Sequence, residues 1–306
     1  MKIAFLFGGQ GSQVVGMGQD ICASYPKSKA IFDQANCAFN VNDVCFNGPQ
    51  ERLNQTQYAQ PSLLVASLAI AEALTSEGIL ADVCAGLSLG EYSALCYAKA
   101  IDIDQAIDVV VKRGRLMQDA LPTHTSGMAA VLNSDVQTIQ KIVRECQEKH
   151  NEVLEIANFN SPYQTVISGQ KAVLDLAVQR LKEASMRVLP LNVSGAFHTS
   201  LLNDAGQALH QILKATPLTT PQIPVLYNIS GDVEQDIVSA LTQQITSSVQ
   251  WVKTIERMRE MGVEVFVEIS PKSTLDKLVK QIIPGAQVYT VSDVKGIDVL
   301  KGVLYG

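Results

Sequence analysis

The chain has 306 residues, of which 47% are hydrophobic and 18% are charged. This balance excludes an intrinsically disordered chain and supplies enough apolar side chains for a sizeable core, in about two domains. The net charge of −6 argues against a nucleic-acid partner, because binding to phosphates needs an excess of basic residues.

The first predicted element is a buried strand over residues 2–7, which is apolar and ends at two glycines. This run is too short for a signal peptide, and no run approaches the ~20 apolar residues of a membrane-spanning helix. The six cysteines are scattered without a CxxC pair. We therefore expect reduced thiols in a cytoplasmic protein, with no metal, no cofactor and no membrane contact.

The next elements lead to a glycine-rich turn. A helix is predicted over residues 62–75, where the sequence SLLVASLAIAEALT follows Pro61 and is apolar on most faces. A strand over residues 82–85 comes next and ends at Gly86-Leu87-Ser88-Leu89-Gly90. Helices then follow at residues 89–99 and 103–117.

The middle of the chain has a different pattern, β-α-β-β-α-β, which is typical of a ferredoxin-like module. Its predicted strands and helices, in chain order, cover residues 128–132, 134–150, 153–158, 164–168, 171–184 and 187–191. After it, helices at 201–214, 251–261 and 273–282 alternate with strands at 224–227, 263–268 and 288–291. The order predicts a large α/β domain over residues 1–126 and 192–306, with a ferredoxin-like subdomain inserted at 127–191.

The GxSxG turn at residues 86–90 indicates a nucleophilic serine. Between a strand and a helix, such a turn is tight enough to require glycines and holds the serine hydroxyl at the carboxyl end of the sheet. The backbone N–H of the next residue, Leu89, then faces a developing oxyanion. A glycine-rich strand end that only packs is the competing interpretation of Ser88.

A serine hydroxyl needs a base, and the chain offers four histidines: His124, His150, His198 and His210. His198 is the favoured candidate because it lies in a loop of small residues after a predicted buried strand, where active-site groups are common. From spacing alone, it is equally well interpreted as a solvated or helix-capping histidine.

Two further features remain undecided on the residues alone. Arg113 is most simply interpreted as a surface arginine. The loop at residues 8–13 could donate N–H groups to an anion, but it lacks the GK[ST] ending of a nucleotide-binding P-loop.

Taken together, these segments resemble malonyl-CoA:acyl-carrier-protein transacylases along nearly the whole chain. FGGQGSQ at 7–13 is similar to the family's FPGQGSQ, and GLSLGEYSAL at 86–95 to its GHSLGEYSAL. Further similar segments, in family order, are RGRLMQ at 113–118, GMAAVL at 127–132, ANFNSPYQTVISG at 157–169, GAFHTSLL at 195–202, VQW at 249–251 and FVEISP at 266–271.

The resemblance implies an α/β-hydrolase-like domain with a ferredoxin-like insert, and a ping-pong transfer of malonyl from coenzyme A to an acyl carrier protein. Site residues follow by position: Ser88 as nucleophile, His198 as base, the N–H groups of Gln10 and Leu89 as oxyanion hole, and the Gln250 carbonyl orienting His198. Arg113 is implied to bind the malonyl carboxylate, for which guanidinium geometry is suited. Asn160, Ala196, Phe197 and Leu87 are implied to line the substrate site.

Departures from the family pattern leave alternatives open. Leu87 stands where the family usually has His, and this leaves fatty-acid or polyketide synthesis undecided as the pathway. A carrier-protein acyl hydrolase of the same fold is the nearest rival, which Arg113 disfavours. A general esterase and an inactive docking subunit are the others. A monomer is expected, because nothing in the sequence demands an oligomer.

Overall fold

The structure is a computed structural model that describes residues 1–122, 124–133, 135–193 and 195–306. The described residues form nine strands in two sheets, together with fourteen α-helices. The strands are β1 (Ile3–Phe7), β2 (Val83–Gly86), β3 (Ser126–Leu132), β4 (Leu154–Ser161), β5 (Gln164–Gln170), β6 (Arg187–Pro190), β7 (Val225–Leu226), β8 (Val265–Ile269) and β9 (Gln287–Val291).

The helices surround the first sheet and cover one face of the second. They are α1 (Gln19–Ser24), α2 (Pro26–Gln34), α3 (Val41–Phe46), α4 (Gln50–Leu53), α5 (Thr56–Ser76), α6 (Gly90–Tyr97), α7 (Ile103–Asp119), α8 (Val136–His150), α9 (Lys171–Glu183), α10 (Asn203–Ala215), α11 (Ile237–Gln244), α12 (Trp251–Glu260), α13 (Asp276–Ile282) and α14 (Val294–Tyr305). A 3₁₀ turn at Ser200–Leu202 precedes α10.

The larger sheet has the order β7-β2-β1-β8-β9, and each of its paired strands is parallel. Its central strands are apolar and buried on both faces, as parallel sheets covered by helices require. The carboxyl ends of parallel strands meet at one edge of the sheet, where α/β proteins bind their ligands. This edge brings together Gly8 after β1, Leu87 after β2 and Tyr227 after β7.

The smaller sheet is antiparallel, with the order β4-β5-β3-β6. Side chains of a strand alternate between its faces. Val131 and Ile167 pack with α8 and α9 in a separate core, whereas Met128, Ala130 and Val166 join the core of the large sheet. The predicted β-α-β-β-α-β order is confirmed, and the chain has an α/β-hydrolase-like fold with a ferredoxin-like part.

Several boundaries differ from the predicted ones. The predicted helix at 62–75 begins six residues earlier, at Thr56, and Pro61 lies inside it. A proline this close to a helix start removes only one intrahelical bond, which explains why the helix continues. The predicted start of α8 at Ser134 falls outside the described residues; the helix begins at Val136, capped by the Asp135 carboxylate.

Several short helices have too little periodic pattern for prediction from sequence, among them α11, which contributes to the site described below. Among the described residues, no helix combines the length and apolar character that crossing a bilayer requires.

Candidate active site

Ser88 lies in a tight turn between β2 and α6, in a backbone conformation that is unfavourable for it. Its φ is 52°, in the left-handed region where residues other than glycine are uncommon. A Cβ on Gly86 would overlap the backbone of Gly90, and a Cβ on Gly90 would overlap the carbonyl of Phe7. The two glycines of the GxSxG segment are therefore required by close backbone contact.

His198 is placed to accept a proton from Ser88. The imidazole Nε2 lies 2.9 Å from the Ser88 Oγ, and the Nδ1 lies 2.8 Å from the main-chain carbonyl oxygen of Gln244. A carbonyl can only accept, so the ring proton is on Nδ1 and Nε2 is free to accept the hydroxyl proton. Burial lowers the pKa of His198 to about 4, and hence the imidazole is neutral at physiological pH.

The residue that orients His198 is a correction to the sequence prediction. Gln250 was expected to supply the carbonyl, but its carbonyl accepts the N–H of Thr254 in the first turn of α12. The carbonyl bonded to His198 belongs to Gln244, the last residue of α11. The final carbonyls of a helix have no intrahelical partner, and His198 uses one of them.

Arg113 is a buried part of the site and not a surface residue, since it is 1% exposed. Its Nη2 donates to the Ser88 Oγ at 3.0 Å and to the Gln244 Oε1 at 2.9 Å, while Nη1 donates to the Gln60 Oε1 at 2.8 Å. The guanidinium lies over the ring of Tyr92, 5.3 Å from its centroid. Its Nε has no hydrogen-bond partner among the described residues. Burial lowers the pKa of Arg113, although a guanidinium remains charged.

A small cavity of about 150 Å³ lies over Ser88, and its lining comes from both sheets. It is lined by Gln10, Gln60, Leu87, Ser88, Leu89, Arg113, Met128, Asn160, Val166, Phe197 and His198, among others. The backbone N–H groups of Gln10 and Leu89 donate no hydrogen bond within the described part of the chain. Both are consequently available to a bound anion.

A second cavity of about 660 Å³ adjoins the first, and the two share Gln10 and Val193. Its lining is rich in side-chain amides and includes Gln13, Asn54, Gln55, Gln118 and Asn192. A cavity with this lining can hydrogen-bond a ligand that carries amide groups of its own.

The remaining sequence-predicted residues divide into two groups. Leu87, Phe197 and Asn160 line the small cavity. The Asn160 Nδ2 donates to Gln164 at 2.8 Å, and its buried Oδ1 has no partner among the described residues. Ala196 is fully buried but is not among the lining residues; its carbonyl accepts the hydroxyl of Thr199.

Three residues of the site were missed in the sequence. Gln60 and Gln244 hold Arg113, and Asn228 bonds to the backbone on both sides of Leu87. The available signals were weak. Gln60 is a polar residue beside a proline before an apolar helix, and Asn228 is a polar residue just after a buried strand.

Comparisons with known proteins agree with this geometry. Residues 4–298 match the family described as "Acyl transferase domain". The chain is 38% identical over 303 residues to the malonyl CoA-acyl carrier protein transacylase of Bacillus subtilis. The aligned residues make up 97% of this chain and 95% of the relative.

Two solved structures superpose on nearly the whole of this chain. A malonyl CoA-acyl carrier protein transacylase from Clostridium perfringens superposes with a TM-score of 0.96 at 35% identity, covering 99% of this chain and 97% of that one. A type II PKS acyl-carrier protein in complex with its malonyl-transacylase gives a TM-score of 0.94 at 35% identity, covering 98% of each chain.

Proposed function

The chain belongs to the acyl transferase domain family, and we propose that it transfers malonyl groups from malonyl-CoA to the phosphopantetheine thiol of an acyl carrier protein. The reaction is a ping-pong transfer through a malonyl-serine ester on Ser88. The product, a malonyl-carrier protein, supplies fatty-acid or polyketide synthesis.

In the first half-reaction, the Ser88 Oγ attacks the thioester carbonyl of malonyl-CoA while His198 Nε2 takes the hydroxyl proton. The carbon–sulfur bond then breaks, and the protonated imidazole returns its proton to the leaving CoA thiolate. In the second half-reaction, the carrier thiol gives its proton to His198 and attacks the serine ester, and Ser88 leaves with that proton. The helix end at Gln244 favours the transient imidazolium, because the C-terminus of a helix carries partial negative charge.

The N–H groups of Gln10 and Leu89 are the proposed oxyanion hole. Both residues line the cavity over Ser88, and neither amide is used within the described part of the chain. Donors that are fixed before the reaction stabilise the tetrahedral oxyanion without reorganisation.

The observation that carries the malonyl assignment is the environment of Arg113. Its amino groups bond only to neutral oxygens of Gln60, Gln244 and Ser88 in the described structure. A carboxylate that replaces one of these neutral acceptors gains a charge-assisted pair in a buried site, whereas an uncharged acyl group does not. Since Arg113 lies 3.0 Å from the Ser88 Oγ, the acid must lie within a few bonds of the ester, as in malonyl.

The other lining residues shape the acyl pocket. Phe197 and Leu87 form apolar walls, and the small, fully buried Ala196 directly precedes Phe197 in the chain. Asn160 offers an unpartnered buried oxygen to the substrate. The amide-lined second cavity is the proposed path of the pantetheine arm, common to coenzyme A and the carrier protein.

We also propose the division into a large domain at 1–126 and 192–306 and a small one at 127–191, supported by the second sheet lying between Ser126 and Pro190. We propose a cytoplasmic location, which the six unpaired cysteines of the described structure support. We also propose a monomer, because no feature of the sequence demands an oligomer. Light scattering of the purified chain tests the monomer.

The activity is tested by intact-mass measurement after separate incubation with malonyl-CoA and acetyl-CoA. We expect a malonyl adduct on the wild type, little acetyl adduct, and neither on Ser88→Ala. Added fatty-acid and polyketide carrier proteins should then remove the adduct and gain its mass. Release of the adduct to water, with no carrier acylated, would instead identify a hydrolase.

A further inference from the structure

The strained turn that carries Ser88 is held on both sides by one buried side chain, that of Asn228. The Asn228 Oδ1 accepts the N–H of Ser88 at 2.7 Å, and its Nδ2 donates to the carbonyl of Gly86 at 2.6 Å. Asn228 is 1% exposed and follows β7, the strand beside β2. One amide group therefore joins the two residues that flank Leu87.

Asn228 is itself fixed by its main chain. Its N–H donates to the Glu91 Oε2 at 2.7 Å, and its carbonyl accepts the N–H of Gln250 at 2.7 Å. Glu91 is fully buried in the first turn of α6, directly after the elbow. The main chain of Asn228 is thus tied to Glu91, just after the serine turn, and to Gln250 at the start of α12, and these bonds fix the side-chain amide relative to Ser88.

The chemistry required at this position is specific. The turn presents one free donor, the Ser88 N–H, and one free acceptor, the Gly86 carbonyl, so a single group must accept and donate together. A carboxamide does both, whereas a carboxylate only accepts. Backbone strain at an active site persists only where surrounding groups over-determine it; one of these bonds acts on the strained Ser88 itself and the other on Gly86, two residues before it.

The geometry assigns Asn228 the role of a positioning residue that keeps the Ser88 hydroxyl aligned between His198 and the oxyanion donors. Asn228 is not among the residues that line the cavity over Ser88, and it acts through the conformation of Ser88. This role rests on the proposed function, since it concerns the same nucleophile. The matching contribution of Glu91 is to fix Asn228.

The test uses a fluorophosphonate, which needs an aligned Ser88 and His198 but no malonyl recognition. The Ser88 Oγ attacks phosphorus, fluoride leaves, and the hydroxyl proton passes through His198 to solvent. For Asn228→Ala we expect the phosphonylation rate and kcat for malonyl transfer to fall roughly 100-fold, as misplacement of a reacting group does. The KM for malonyl-CoA should stay within about twofold, because the substrate contacts remain.

Asn228→Asp gives a readout that a purely structural role would not move. An ionised carboxylate loses the bond to Gly86, whereas a protonated one restores both bonds. Position 228 is 1% exposed, and this burial favours the protonated form of the new carboxyl; Glu91, which accepts the N–H of residue 228, is the titratable group in contact with it. The rate relative to wild type at the same pH should therefore recover as the pH falls from about 8 to about 5.5, a range in which His198 stays neutral.

Ser28→Ala is the matched control, because Ser28 is also fully buried and bonds to one carbonyl, that of Ala69 in α5. It should react at the wild-type rate. Wild-type phosphonylation of Asn228→Ala would overturn the assignment, as would an Asn228→Asp variant without recovery. If Asn228→Ala does not fold, Asn228→Asp alone decides. A wild type that is phosphonylated but not malonylated contradicts the proposed function and leaves this test intact.

Discussion

Arg113 and His198 hydrogen-bond the same atom, the Oγ of Ser88, at 3.0 and 2.9 Å. The guanidinium donates to the oxygen while the imidazole accepts its proton, so both contacts favour an oxygen that is losing its proton. The positive charge of Arg113 also contributes to the lowered pKa of His198, after the larger effect of burial. The guanidinium of Arg113 and the imidazole of His198 are therefore linked through the Ser88 hydroxyl.

The pH dependence of serine acylation follows from His198. Because burial lowers its pKa from 6.5 to about 4, the base stays neutral in mild acid. We expect kcat/KM for acylation by malonyl-CoA to stay level from about pH 8 to about pH 5 and to fall only nearer pH 4. Rapid-quench acylation across this range checks it. A fall centred near the ordinary pKa of 6.5 would contradict the buried, neutral imidazole.

The same shift affects stability. The unfolded chain binds a proton at His198 more readily than the folded one, so this group destabilises the fold as the pH falls from about 6.5 towards 4. Replacing it by asparagine should remove this part of the acid sensitivity in chemical denaturation experiments. If the wild type and the asparagine variant lose the same unfolding free energy between these two pH values, His198 is not responsible for the loss.

Arg113→Ala should abolish the preference for malonyl over acetyl. The loss of a charge-assisted bidentate pair lowers kcat/KM for malonyl-CoA by roughly 100-fold or more, equivalent to about 3 kcal/mol, whereas acetyl-CoA loses no such pair. Competition between the two thioesters, read by adduct mass, measures the preference. Arg115→Ala is the matched control, since Arg115 is an exposed arginine two residues along α7. An unchanged malonyl preference in Arg113→Ala would refute the carboxylate contact.

Gln244→Ala separates the side chain of Gln244 from its main chain. The carbonyl that orients His198 remains, but the amide bonds to Arg113 and to the Ser88 carbonyl are lost. We expect kcat to fall by about tenfold or more, because one of the two lost hydrogen bonds is to a charged group, with the pH profile retained. Steady-state kinetics test this against Gln243→Ala, which removes an exposed glutamine from the preceding position of the same helix. Equal effects of the two variants would contradict the assignment.

Gly8 and Ser270 should be energetically coupled. A Cβ on Gly8 would lie 2.8 Å from the Ser270 Cβ and closer still to its hydroxyl. Gly8→Ala is expected to destabilise the fold by about 1–3 kcal/mol through overpacking, and Ser270→Gly to relieve most of that cost. Urea denaturation of both single variants and the double variant gives the coupling energy. Additive effects would show that the loop moves aside instead.

Part of this site could be predicted from sequence because its residues belong to patterned elements. Ser88 lies between a buried strand and a helix, and its flanking glycines reflect backbone contacts that leave no room for a Cβ. Gln244 could not be found this way. Its role depends on a main-chain carbonyl, which every residue type has, at the end of a short helix whose periodicity is weak.

Arg113 illustrates a different limit. Its position on α7 was predicted, but its burial depends on α5 extending past Pro61 to bring Gln60 opposite it. The proline argued for a later helix start. Tertiary packing on α5 decided both the helix length and the environment of the arginine.

The lining of the small cavity comes from two parts of the fold, the part built on the large parallel sheet and the antiparallel sheet. Ser88 and Arg113 come from the large sheet and its helices, and His198 comes from the loop before the 3₁₀ turn. Met128, Asn158, Asn160 and Val166 come from the antiparallel sheet. Substitutions in the antiparallel sheet can therefore reshape one side of the cavity without changing Ser88, His198 or the carboxylate contact proposed for Arg113. Exchange of the inserted sheet between relatives offers a route to enzymes that load other acids onto carriers while keeping the original serine chemistry.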